Sequence, residues 1–291
     1  MKLRLRDGEL DLSAPVLMGI VNATPDSFSD RQGPKDPGDL AALGERLIED
    51  GAGILDVGGE SGRTDTDAVP VEVEIERVVP VIERLAAGGA IVSVDTWRGP
   101  VAKAALAAGA GMVNDVSGLS DESLAAACAE AGAALVITHT RARPKEKVFP
   151  HYKDVVADVV EFLQERERVA RSHGVAGESI VLDPGIDLAK TPAESVELLR
   201  RLDRLAALGR PLLVALSRKD FIGVLTERPP AARDAGTLAA VGAALRRGAR
   251  ILRVHDVAAA RDYLRVHAAL EGERAMEAGV RLEGQLLREH T

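Results

Sequence analysis

Apolar runs recur along the chain, and each stops at polar side chains suited to ligand binding. Residues 17–21 run into Asn22, residues 54–57 into Gly58-Gly59-Glu60, and residues 91–94 into Asp95. Residues 112–113 lead to Asn114-Asp115, residues 134–137 to Thr138-His139, and residues 180–182 to Asp183. Residues 212–216 end at Ser217-Arg218-Lys219, and residues 251–252 enter Arg253-Val254-His255-Asp256. Helix-compatible stretches separate most neighbours. Residues 155–172, for example, carry apolar side chains at 155, 156, 159, 160, 163 and 169, roughly one helix face. Residues 192–208 and 237–247 read the same way. Eight strands alternating with helices predict an α/β fold, a single eight-stranded (β/α)8 TIM barrel whose chemistry gathers at the carboxyl ends of the strands. The polar stops would then meet around one mouth.

The ends of the chain add two features. In residues 2–12, Leu3 and Leu5 alternate with Arg, the alternation resumes at Leu10 and Leu12, and Asp7-Gly8 between them is a hairpin turn signal. The expected organisation is an N-terminal hairpin over residues 1–15, covering the amino-terminal end of the barrel. The barrel itself would span residues 16–270. A polar C-terminal helical tail over residues 271–291, containing Leu282, Leu286 and Leu287, would pack on the barrel or a second subunit, or remain solvated. Three polar loops interrupt the pattern, at residues 22–39, 59–69 and 141–153. Connections as long as the first are often functional lids.

Composition narrows the class. With 37 basic and 45 acidic residues the formal net charge is −8, which argues against nucleic acid as partner. Four Phe, two Tyr and one Trp leave Ala, Val, Leu and Ile to fill the core. Cys128 is the only cysteine and sits in an Ala-rich helical stretch, where it reads as a small core residue. Neither a secretory signal nor an apolar run long enough to span a bilayer is visible. The expectation is a cytoplasmic protein with no membrane partner.

The strand ends carry the candidate chemistry. Side chains two apart on a strand share a face, so Arg253 and His255 point together, either as an anion site or as an ion pair with nearby acids. Ser217 and Lys219 share a face by the same rule, and a buried Lys219 calls for a carboxylate, a carbonyl or a ligand beside it. Asp95 and Asp183 can face it across the mouth, closing a Lys–Asp network or receiving a ligand. Paired acids with the amide of Asn114 can also hold the donor edge of a flat heterocycle. Asn22 opens an oxygen-rich loop of the kind that suits Mg2+ carried on a diphosphate. His139 reads as positional rather than catalytic, and Trp97 as rim packing or a stacking surface.

Taken in order, these segments resemble the dihydropteroate synthase family. The matching pieces are residues 22–30 (NATPDSFSD), 56–61 (DVGGES) with Arg63, 93–96 (SVDT), Asn114-Asp115, 183–186 (DPGI) with Lys190, 217–219 (SRK) and 253–256 (RVHD). The resemblance implies a barrel transferase, a homodimer, that condenses 6-hydroxymethyl-7,8-dihydropterin diphosphate with p-aminobenzoate, with Mg2+ as cofactor. By position, Asp95, Asn114, Asp183 and Lys219 would hold the pterin. Asn22, Arg63, Arg253 and His255 would hold the diphosphate, with the metal near Asn22. Asp95, Lys219, Arg253 and His255 would be the catalytic set.

The chain departs from the family pattern at several of these places. Gly62 replaces a threonine, Thr138 and Thr140 replace two methionines, and Asp187-Leu188 replaces a glycine–aromatic pair. Asp220 follows Lys219 where a small or neutral residue is common. An acid 4 Å from an anionic substrate would repel it by roughly 4 kcal/mol at an effective dielectric of about 20. Asp187 and Asp220 must therefore point away, pair with Lys190 and Lys219, or signal another ligand. The competing readings are a synthase-like paralogue with weak or no activity, a pterin-dependent methyltransferase domain, and a non-catalytic barrel.

Overall fold

A computed structural model describes residues 1–24, 36–61, 64, 66–277, 279 and 281. Two short strands, β1 (Lys2–Leu5) and β2 (Gly8–Asp11), form an antiparallel hairpin with Leu5 opposite Gly8. The linking residues are therefore Arg6 and Asp7, one position earlier than the sequence signal placed them, and Gly8 opens β2 at φ +145, a value glycine tolerates best.

Eight further strands close into a barrel: β3 (Val16–Asn22), β4 (Ala52–Gly58), β5 (Val92–Asp95), β6 (Met112–Asp115), β7 (Ala134–Thr138), β8 (Ile180–Asp183), β9 (Leu212–Ala215) and β10 (Ala249–Val254). Every neighbouring pair is parallel, and β10 returns to pair with β3. The helices are α1 (Pro37–Glu49), α2 (Val71–Ala87), α3 (Gly99–Ala107), α4 (Ser123–Ala131), α5 (Val155–Ser172), α6 (Pro192–Arg200), α7 (Asp203–Ala206), α8 (Asp220–Thr226), α9 (Asp234–Leu245) and α10 (Val257–Leu270).

Local chemistry explains where several helices start. Asp154 caps α5 by accepting from the Val156 and Ala157 N–H groups. Thr191 and Glu194 form a capping box on α6, with Pro192 at its first position. The sequence pattern predicts one helix over 192–208. Instead Arg201 leaves helical geometry (φ −119, ψ 27) and buries Leu202 completely, so α6 and α7 are separate.

The strand period sorts the core into two. Outward residues such as Leu55, Val113, Leu182 and Leu252 pack against the helices. Inward residues Met18, Ile54, Met112, Val181, Leu213 and Ile251 pack with Leu3, Leu5 and Leu12 of the hairpin region. The hairpin thus closes the amino-terminal end, as expected. One stride of two towards the other end, inward positions turn polar: Ile54 is followed by Asp56, Met112 by Asn114, Val181 by Asp183 and Ile251 by Arg253. The same alternation that fills the floor with apolar side chains aims charge into the mouth.

Cys128 is fully buried, and burial raises its thiol pKa to about 12, so it is an inert core residue. Among the described residues no helix is long and apolar enough to cross a membrane. Residues 271–277 carry turn and irregular backbone. The helix expected beyond them falls mostly outside the described residues, as does residue stretch 25–35 of the first loop.

Candidate active site

Arg253 is the centre of the mouth. Its Nε donates to Asp56 Oδ2 at 2.6 Å and its Nη2 to Asp95 Oδ2 at 2.9 Å. Asn114 Nδ2 donates to the same Asp56 oxygen at 3.0 Å. Strands β10, β4, β5 and β6 are thereby tied together through one guanidinium and two acids. Of the two readings the sequence left open, an internal ion pair is what the structure shows. It does not exhaust the cation: a guanidinium has five N–H donors, and these bonds use two. Asp56, buried at the centre of this network, lies within one of the matching segments, but the sequence pattern assigns it no role. The available signal was a carboxylate inside an apolar run, which demands a partner.

Burial raises the Asp95 pKa above the usual carboxylate range; Arg253 opposes the shift and Asp56 adds to it. Among the described residues, Asp56 Oδ1, Asn114 Oδ1, Ser93 Oγ and Thr138 Oγ1 are buried without a hydrogen-bond partner. Buried acceptors left unsatisfied cost about 1–3 kcal/mol each. Asp56 Oδ1 and Asn114 Oδ1 can only accept, and the two hydroxyls can accept or donate, so the group favours a ligand rich in N–H donors.

Asp183 ends β8. Its Oδ1 accepts the Gly185 N–H at 2.7 Å, and burial raises its pKa to about 6, opposed by that hydrogen bond and then by the charges of Lys219 and Lys190. Lys190 is fully buried and donates to the carbonyls of Gly185 (2.8 Å), Leu188 (2.9 Å) and His139 (3.3 Å), stapling the turn after β8. Its desolvation lowers its pKa to about 7. Gly185 sits at φ +66, where an added Cβ would collide with the His139 carbonyl oxygen. Gly185→Ala is expected to cost roughly 2 kcal/mol or more, read as a lower urea midpoint. An unchanged midpoint would show that the turn repacks freely.

Strand β9 stops at Ala215, so the alternation expected through Ser217 and Lys219 ends early. Arg218 turns through φ +61 and pairs with Asp234 at 3.0 Å, while Lys219 becomes the residue before α8. Ser217 Oγ shares a hydrogen bond with His255 Nδ1 at 2.9 Å. His255 lies at the exposed rim. Enclosure of its ring, then the charges of Arg253, Arg218 and Lys219, lower its pKa to about 4, so the imidazole is neutral at neutral pH.

Asn22 ends β3 beside Gly58 and Asp95: a Cβ on Gly58 would lie 3.6 Å from Asp95 Cβ and 3.9 Å from Asn22 Oδ1. The missing side chain leaves that corner open. The Asn22 carboxamide oxygen is a hard donor of the class Mg2+ prefers, and Mg2+ commonly takes few protein ligands beside phosphate oxygens and water. Among the described residues no group of three or more His, Cys, Asp or Glu is placed to hold a metal. Arg63 and Gly62 lie outside the described residues. The second and third loops meet nearby, where Lys145 Nζ donates to Ser61 O (2.5 Å) and Thr66 Oγ1 (3.2 Å) and pairs with Glu60 (3.2 Å).

The two extra acids are both engaged by other partners. Asp187 accepts the Ser195 hydroxyl at 2.9 Å and the Asp220 N–H at 2.5 Å, and the exposed Asp220 side chain pairs with Arg233 at 3.4 Å. Neither pairs with Lys190 or Lys219. His139 is buried with Nε2 2.9 Å from Asp158 Oδ1, and burial lowers its pKa to about 3, in keeping with a positional role. Trp97 carries the Arg98 guanidinium 5.0 Å from its ring centroid.

The family described as Pterin binding enzyme matches residues 18–255. The dihydropteroate synthase of Neisseria meningitidis serogroup C is 42% identical over 268 residues, covering 90% of this chain and 95% of its own length. Two solved structures of Xanthomonas albilineans dihydropteroate synthase also match. One, with 4-aminobenzoic acid, has a TM-score of 0.86 and 46% identity, covering 93% of this chain and 99% of that one. The other, in complex with 7,8-dihydropteroate, has a TM-score of 0.84 and 45% identity, covering 93% and 99%.

Proposed function

The chain belongs to the pterin-binding enzymes, in the dihydropteroate synthase family, and from that premise we propose how its barrel mouth works. It joins 6-hydroxymethyl-7,8-dihydropterin diphosphate to p-aminobenzoate, giving 7,8-dihydropteroate and diphosphate. The observation that carries the site assignment is the set of buried, unpartnered acceptors beside Asp95 and Asp183. A pterin presents an amino group and ring N–H groups along one edge, the complement of such a wall. Asp183 and Asp95 accept from it, Asn114 adds its free carbonyl oxygen, and Lys219 donates to the ring carbonyl or a ring nitrogen.

The reaction breaks the bond between the pterin methylene and the diphosphate oxygen. The electron pair leaves with that oxygen, so negative charge grows at the rim. The N–H groups of Arg253 that Asp56 and Asp95 leave free, together with His255, meet it there, which favours the departing state over the bound ester. Positive charge at the methylene is steadied by Asp95. The amine of p-aminobenzoate then forms the new C–N bond, and its nitrogen releases a proton to solvent. Mg2+, which we place against Asn22, would neutralise diphosphate charge when bound. Arg63 is assigned to the same anion by resemblance alone.

With both extra acids engaged by other partners, the repulsion that motivated a paralogue reading is relieved. Exposed apolar side chains on α8 (Val224, Leu225) and α10 (Val266, Leu270) support a homodimer, and a cytoplasmic location is the reading from the sequence. Incubation with pterin diphosphate, Mg2+ and p-aminobenzoate is expected to release diphosphate only when the amine is present. Release at the same rate without it, or none at all, would overturn the assignment.

A further inference from the structure

One carboxylate outside the polar cluster joins two of its strand ends. Asp187 lies in the turn after β8 at φ +63, a left-handed conformation that Asp visits more readily than most residues. Its Oδ1 accepts the Ser195 hydroxyl at 2.9 Å, and Ser195 Oγ accepts the Asp187 N–H at 3.2 Å. Ser195 is fully buried in α6, so this end of the contact is fixed by a packed helix. Oδ2 accepts the Asp220 N–H at 2.5 Å. Asp220 is the first residue of α8, and Lys219 before it offers that helix no side-chain cap. The Asp187 carboxylate therefore satisfies, from the turn after another strand, a donor that the helix leaves orphaned.

The opposite side of the same segment is also held. Arg233 donates to the carbonyls of Arg218 (2.9 Å) and Lys219 (3.2 Å), and Thr237 Oγ1 accepts the Arg218 N–H at 3.0 Å. Asp187 supplies the side that faces β8, four residues beyond Asp183. We propose that Asp187 is a positioning residue: its carboxylate braces the turn after β8 against the start of α8 and so sets the spacing between the Asp183 carboxylate and the Lys219 ammonium. What those two groups grip rests on the pterin reading above; the brace itself does not.

A residue that merely forms a left-handed turn would behave differently. Asp187→Gly keeps, and eases, the positive φ while deleting the carboxylate; Asp187→Asn keeps an acceptor. The test is fluorescence titration of free 6-hydroxymethylpterin, with steady-state kinetics and thermal melting of each variant. Asp187→Gly is expected to weaken pterin binding and raise KM for the pterin diphosphate by about tenfold, the worth of one or two hydrogen bonds. KM for p-aminobenzoate should stay near the wild-type value, and Asp187→Asn should restore most of the loss. If the glycine variant melts early, Ser195→Ala, which frees one end of the brace, is expected to weaken pterin binding in the same direction. A glycine variant that binds pterin as tightly as wild type would overturn the brace alone. A wild-type chain that binds no pterin and releases no diphosphate would overturn the functional reading, and this inference with it.

Discussion

Arg253→Met is expected to lower the unfolding free energy at pH 8 by about 3–5 kcal/mol, the range for breaking a buried ion pair from one side. The cation touches two acids, and Asp56 is fully buried while Arg253 is 18% and Asp95 22% exposed, so water screens little of the loss. Methionine fills similar space, which keeps a cavity from confusing the result. The pH dependence identifies the cause. Asp95 already has a raised native pKa that Arg253 holds down; without the cation it rises further. Between the unfolded carboxylate value, about 3.9, and that raised value, the native state holds a proton the unfolded chain has released. Stability then falls as pH rises, so the deficit should be largest at pH 8 and shrink at pH 5. Urea midpoints at the two pH values measure it, and an equal deficit at both would refute the account.

Catalysis should suffer separately. Losing a donor aimed at developing negative charge costs on the order of a hundredfold to a thousandfold in turnover. Adding Asp95→Asn to Arg253→Met should recover part of the stability, because one stranded carboxylate is gone, and none of the turnover. Recovery of both would mean that Arg253 serves only to neutralise the acids.

The reach of sequence reading follows from these same residues. The barrel was legible because each strand is a short apolar run ended by polar side chains, and because the runs are spaced for helices. Residues at strand ends, such as Asp95, Asn114 and Asp183, announced themselves by position. Asp56 did not: it lies inside its run, and its partner Arg253 is 197 positions away. Only closure of the sheet, which pairs β10 with β3, brings β10 within one strand of β4, so the pairing is not readable from local pattern. The same limit hid the α8 brace, since nothing near Asp187 in sequence points to the Asp220 N–H. It also makes the sign of Asp187 and Asp220 look harmful, when their carboxylates are engaged by Ser195, the Asp220 N–H and Arg233. The break between α6 and α7 was missed because Leu202 satisfies a helical apolar spacing whether or not the helix continues.

Asp183→Asn is expected to move binding and stability in opposite directions. In the wild type, burial holds the Asp183 pKa at about 6, above the unfolded carboxylate value. The native state therefore retains a proton that the unfolded chain loses, and the group's contribution to stability declines as pH rises from about 4 through about 6. At pH 8 the ionised carboxylate is a net burden on the fold. A neutral amide lifts that burden while its oxygen still accepts the Gly185 N–H, so the variant should melt higher than wild type at pH 8. Binding depends on the opposite state. Only the carboxylate can accept two N–H bonds from a pterin edge, and exchanging it for an amide turns one acceptor into a donor. A loss of about 3 kcal/mol, roughly a hundredfold in affinity for free pterin, is expected at pH 8. Wild-type affinity should also fall as pH drops through about 6, and the asparagine variant should lack the part of that fall that Asp183 causes, leaving only the part due to Asp95. Fluorescence titration between pH 5 and 8, with melting curves on the same samples, separates the outcomes. A variant that binds pterin as wild type does at pH 8 would remove Asp183 from the site. One that loses binding and melting temperature together would show that the carboxylate serves the fold, and that its place in the mouth is incidental.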